Sequence, residues 1–136
     1  MHTEGLYWID NAPDLLEFIE LVNHPLFHCV WDTGHANMQD MSQEEALMLL
    51  GSHMKALHIQ DNNKIKDIHM CPLFGTLDVN SLMTGLKNIG YDGYFTFEAP
   101  RFFSPEISFE VDLELKISAE KLMYNIGENI LRKYAM

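Results

Sequence analysis

The chain has 136 residues, enough for one domain, and its 47% apolar content supports a buried core rather than a disordered tail. Nine Lys and Arg against 20 Asp and Glu leave a formal charge of −11, which repels phosphate backbones and suits small solutes or metal cations. No apolar run approaches the ~20 residues of a membrane span and no secretory signal layout is present, so a cytoplasmic protein without membrane or nucleic-acid partners is expected.

Asp14 to Val22 carries Leu15, Phe18, Ile19 and Val22 at helical spacing, with Pro13 tolerated in a first turn, and stops near Asn23-His24-Pro25. Phe27 to Trp31 is short, apolar and β-prone, and it runs into Asp32-Thr33-Gly34-His35. Ser42 followed by Glu45 is a capping box, opening a helix through Ala46, Leu47, Leu49 and Leu50 up to Gly51. Ala56-Leu57-His58-Ile59 reads as a second strand, ending in the polar stretch Gln60 to Lys64. Asp78, Leu82, Leu86 and Ile89 mark a third helix closed by Gly90, and Asp92-Gly93 turns into a third strand, Tyr94 to Glu98. A long helix follows from about Ser108 to Tyr134, with a stripe from Leu113 through Ile117, Leu122 and Ile126 to Ile130.

Alternation of helix and strand predicts an α/β fold with three parallel strands and flanking helices, in a single domain over residues 1–136. A closed (β/α)₈ barrel needs eight strands and usually ~250 residues, so the pattern is that of a partial TIM-type barrel. A fragment, an open α/β layer and an association of two copies all remain open. Three parallel strands with one bare face predict self-association.

Parallel strands present their C-terminal ends on one side, which brings Asp32 with His35, His58 with Asp61, and Glu98 toward a common site. Asp67-Ile68-His69 projects two further groups from the following loop. A mixed carboxylate and imidazole set suits Mn²⁺, Co²⁺, Zn²⁺ or Mg²⁺, and neither cysteine has a thiol neighbour that would indicate another centre. Plainer roles compete: Asp32 as a turn acceptor, His58 as a hydrogen-bonded core histidine, Asp67 and His69 as a solvated loop. Glu98 is harder to read that way, because a buried carboxylate at a strand end needs a partner. Trp31 reads as core rather than as a stacking wall, and His2, His24, His28 and His53 as structural or surface.

Val30-Trp31-Asp32-Thr33-Gly34-His35-Ala36-Asn37, Leu57-His58-Ile59-Gln60-Asp61-Asn62, Asp67-Ile68-His69 with Pro72 and Gly75-Thr76-Leu77-Asp78, and Ile89-Gly90-Tyr91-Asp92-Gly93 with Tyr94-Phe95-Thr96-Phe97-Glu98 together resemble the xylose isomerase-like TIM barrels. Within that superfamily the motifs are most similar to the sugar phosphate isomerase/epimerases, and they cover the C-terminal half of the barrel. The resemblance implies a divalent ion held by Asp32, His58 and Glu98, with Asp67 and His69 as secondary metal candidates. It further implies substrate contacts from His35, Lys64 and His69 to a small sugar or sugar phosphate, and Glu98 as the base that removes a proton beside a carbonyl. A second family glutamate falls ahead of this chain, with Glu4 and Asp10 the nearest acidic residues, so the missing N-terminal half or a second copy is an expected partner. Pro72-Leu73-Phe74-Gly75 departs from the family's Pro-Gly-x-Gly. Two other readings follow from the same motifs: a catalytically inactive half-barrel, and an apurinic endonuclease-like hydrolase, which the scarcity of basic residues disfavours.

Overall fold

The computed structural model describes Ile9, residues 11–99, Phe103 and residues 110–135. In chain order these form α1 (Ala12–Val22), β1 (Cys29–Asp32), α2 (Thr33–Asn37), α3 (Gln43–Leu50), a 3₁₀ turn (Gly51–His53), β2 (Met54–Ile59), α4 (Val79–Asn88), β3 (Thr96–Phe97) and α5 (Leu113–Tyr134). The three strands are parallel, in the order β1-β2-β3. The predicted succession of helix and strand is therefore present, with one addition, α2.

Local chemistry accounts for most helix starts. Asn11 caps α1 by accepting from the Asp14 amide, with Pro13 in the first turn where its missing N–H costs nothing. Ser42 and Glu45 make both halves of the capping box of α3. Asp78 caps α4, and Asp112 caps α5, whose predicted start near Ser108 lies outside the described residues. Asp32 begins α2, its Oδ1 accepting from the Gly34 and His35 amides, both at 2.9 Å.

Cys29, Trp31, Leu57 and Ile59 point from the sheet into a core completed by Leu47, Leu50, Leu82, Met83 and Leu86. Helices α3 and α4 pack closely because Gly85 lacks a side chain; a Cβ there would lie 2.9 Å from Leu47 Cδ1. Trp31 is buried, and its indole N–H donates to Gln43 Oε1 at 2.8 Å, a core role as expected. On the opposite face Val30, Ala56, His58 and Thr96 are half-buried or exposed, with no layer of described residues over them. Strand β3 is shorter than predicted, because it pairs only along His58 and Ile59 and has no neighbour beyond it. Among the described residues no helix is long and apolar enough to cross a membrane.

Candidate metal centre

Asp32 ends β1 and stands in register with His58 near the end of β2; His58 is in turn in register with Thr96 of β3. Glu98 follows β3, its amide donating to the Ile59 carbonyl at 2.8 Å. One ligand atom from each of Asp32, His58 and Glu98 lies within 4.8 Å of the other two. His58 Nδ1 and Glu98 Oε2 are 2.7 Å apart, with their side chains 44% and 38% exposed. His58 is therefore not an enclosed core histidine, and Glu98 has the partner its position calls for. Asp32 serves two purposes, since Oδ1 caps α2 whereas Oδ2 takes no part in the cap and lies 4.0 Å from His35 Nδ1.

Two carboxylates and an imidazole form a hard-to-borderline donor set, and three side chains leave coordination positions open. The residues present thus fit a catalytic-type divalent cation.

A second group adjoins the first. Asp67 Oδ2 lies 3.1 Å from His35 Nε2 and 3.3 Å from His69 Nε2, and Asp67 Oδ1 accepts from Gln60 Nε2 at 2.6 Å. His69 Nδ1 lies 3.0 Å from the Glu98 carbonyl oxygen. Partial burial pushes the Asp67 carboxyl upward, but hydrogen bonds from Gln60 and His35, with the charges of both histidines, outweigh it and hold Asp67 below the usual range. Asp67 and His69 are accordingly part of an interacting cluster rather than a merely solvated loop. Lys64 lies elsewhere: it lines a polar depression of about 230 Å³ with Asn37, Asp40, Glu45 and Asp78, whereas Asp32 and His35 border a cavity of about 180 Å³ against Leu15, Trp31 and Met41. His24 and His28 are exposed and His53 half-buried, apart from the cluster, while His2, Glu4 and Asp10 lie outside the described residues.

The loop from Asn62 to Thr76 is anchored from below by residues whose burial the sequence did not announce. Gln60, Asp61 and Asn62 are all fully buried. Asp61 accepts from the amides of Asn62, Gly75 and Leu77, and its backbone exchanges two hydrogen bonds of 2.8 Å with Met70. Leu73 adopts φ +75°, so the backbone geometry a glycine would favour is kept without one. Three consecutive polar residues directly after an apolar strand are the one signal that could have flagged this anchor.

Burial pushes the neighbouring Cys71 thiol up to about 11, with the Asp61 carboxylate adding to the shift, and burial also raises Cys29. At pH 8 both thiols should react with iodoacetamide far more slowly than after unfolding, read by mass spectrometry. Because the folded chain favours the protonated Cys71 thiol, its contribution to stability is complete below about pH 9 and is lost as the pH rises toward about 11.

Residues 1–115 match a family described as xylose isomerase-like TIM barrel. The chain is 29% identical over 96 residues to fructoselysine 3-epimerase of Escherichia coli O157:H7, an alignment covering 71% of this chain and 35% of that protein. The crystal structure of D-allulose 3-epimerase from Methylomonas sp. in complex with D-allulose matches with a TM-score of 0.62 at 27% identity, over 81% of this chain and 34% of that one. D-psicose 3-epimerase from Clostridium cellulolyticum H10, solved with D-tagatose, shares the fold with a TM-score of 0.75 at 21% identity, over 92% of this chain and 45% of that one. The chain spans about a third of the length of the curated relatives it matches.

Proposed function

Because the chain belongs to the xylose isomerase-like TIM barrel family, we propose that Asp32, His58 and Glu98 form the metal centre of a sugar or sugar phosphate isomerase/epimerase. The observation that supports this most is the convergence of those three ligand atoms within 4.8 Å at the C-terminal ends of parallel strands. A bound Mn²⁺, Co²⁺, Zn²⁺ or Mg²⁺ supplies Lewis acidity that polarises a substrate carbonyl. Glu98 takes the proton from the carbon beside that carbonyl, and the closeness of His58 Nδ1 to Glu98 Oε2 keeps the carboxylate oriented for it. His35 offers its second ring nitrogen, Nδ1, to a substrate hydroxyl, while His69, whose Nδ1 faces the Glu98 carbonyl and whose Nε2 faces Asp67, supports the arrangement from the side. A ketose is the substrate class we propose, since the similar D-allulose 3-epimerase was solved with D-allulose bound.

Residues 1–136 act as a single domain equivalent to the C-terminal half of the barrel. The bare sheet face beside Val30 and His58 is covered by a complementary half-barrel or by a second copy, which also brings the opposing acid/base group that epimerisation requires. Two free cysteines fit a cytoplasmic, reducing location. The net charge of −11 weighs against a nucleic-acid substrate.

Deuterium uptake from D₂O into D-allulose or D-fructose tests the reading, because it reports proton abstraction without requiring full epimerisation. Expected is Mn²⁺-dependent uptake at the carbon next to the carbonyl, removed by EDTA and by Glu98→Gln. It should be strongest when the chain is mixed with an N-terminal half-barrel from a relative. No uptake from the chain alone or the mixture would favour the inactive half-barrel instead.

A further inference from the structure

We infer that Gln60 is a positioning residue for this site: its side-chain amide holds Asp67 in the orientation that gathers His35 and His69 beside Asp32, His58 and Glu98. Its functional meaning rests on the metal-centre reading above, whereas its geometry does not. Gln60 directly follows β2 and has no exposed surface. Thr33 fixes its backbone twice, donating from Oγ1 to the Gln60 carbonyl at 2.7 Å and accepting from the Gln60 amide at 3.0 Å. The side chain is pressed against Gly34, where an added Cβ would come within 2.1 Å of Gln60 Cδ.

The amide is used at one end only. Nε2 donates to Asp67 Oδ1 at 2.6 Å, and exchanging the two amide ends would set oxygen against oxygen across that distance. Oε1 is left as the one buried side-chain polar atom without a hydrogen-bond partner among the described residues. An unpaired buried acceptor is a standing loss of stability, and an apolar side chain of similar length would avoid it. What only the amide supplies is the N–H aimed at Asp67.

Asp67 then spends its other oxygen on both imidazoles. The Glu98 carbonyl can only accept, so His69 Nδ1 carries a proton and its Nε2 faces Asp67. His69 thereby stands between Asp67 and the strand end bearing Glu98. Through His35 the carboxylate is tied to the turn that Asp32 caps. His69 also holds φ +50°, a conformation that persists in a residue with a side chain only where its neighbours enforce it. Letting Asp67 rotate would release both histidines together.

Gln60→Met keeps the length and removes both amide polar atoms; Gln60→Glu keeps the shape and turns the donor into an acceptor. Nitrogen-resolved NMR of the imidazoles in the metal-free full chain at neutral pH reads the tautomer and hydrogen bonding of His35 and His69. Mn²⁺ titration reads the site. Expected are a thermal midpoint for Gln60→Met within a few degrees of the parent, altered His35 and His69 imidazole signals in both variants, and about tenfold weaker Mn²⁺ binding, with Gln60→Glu the weaker binder. Unchanged imidazole signals in the folded variants overturn the inference, whatever happens to Mn²⁺. A parent chain that does not bind Mn²⁺ defeats the metal-centre reading alone, and the imidazole spectra still decide the role of Gln60. Should Gln60→Met fail to fold, the Gln60→Glu spectra decide by themselves.

Discussion

Asp32→Asn, His58→Gln and Glu98→Gln should each weaken Mn²⁺ binding by at least about 10- to 100-fold, the range seen when even outer partners of a metal ligand are removed. The substitutions are chosen to separate ligation from folding. Asp32→Asn retains an oxygen that can accept from the Gly34 and His35 amides, so the cap of α2 survives while one negative charge leaves the cluster. Glu98→Gln keeps the volume of a side chain that is 38% exposed, and His58→Gln replaces one 44% exposed, so neither opens a cavity in the core. Asp40→Asn makes the same charge change in the separate depression that holds Lys64, and should leave the affinity as it was. Isothermal titration with Mn²⁺ checks the set. Equal affinity in all three site variants would remove the centre, and an equal loss in Asp40→Asn would show that only the overall charge of −11 had been felt.

The grouping of Asp32, His58 and Glu98 was legible because their convergence follows from topology alone. Once Asp32, His58 and Glu98 are placed at the ends of parallel strands, the 4.8 Å grouping needs no knowledge of loops. Ser42 and Glu45 were legible for the opposite reason, as their two hydrogen bonds close within four residues. Helix α2 was not: Thr33-Gly34 lowers helix propensity, and Asp32 reads equally well as a turn acceptor until the amides it caps are seen to continue into a helix. Strand β3 was overextended because β propensity from Tyr94 to Glu98 says nothing about whether a neighbouring strand exists to pair with. The link from Gln60 to Asp67, and through it to His35 and His69, depends on the path of a loop that no hydrophobic period encodes. The same holds for Asp61, whose partners Gly75 and Leu77 are 14 and 16 residues away.

Asp61→Ala should accordingly be the most destabilising of these substitutions, at about 3–5 kcal/mol, although its carboxylate bonds loop amides rather than any of the three proposed ligands. Oδ1 accepts from the amides of Asn62 and Leu77, both at 2.8 Å, and Oδ2 from Gly75 at 2.9 Å. Asn62 and Leu77 are buried, so their N–H groups cannot turn to water when the carboxylate is removed, whereas Gly75 is exposed and can. Two orphaned buried donors and an emptied polar site set the size of the loss, which is a large part of the ~5–15 kcal/mol available to a domain. Asp61→Asn keeps one accepting oxygen for the two buried amides and sets its NH₂ against the Gly75 N–H, so it should cost less, about 1–2 kcal/mol. Urea unfolding should order the three chains as parent, Asp61→Asn, Asp61→Ala. Hydrogen exchange should place the lost protection first at Asn62 and Leu77, because those amides lose their acceptor while the strand pairing of Asp32 with His58 is untouched. An Asp61→Ala chain within about 0.5 kcal/mol of the parent would mean that the loop bearing Asp67 and His69 is anchored by other contacts.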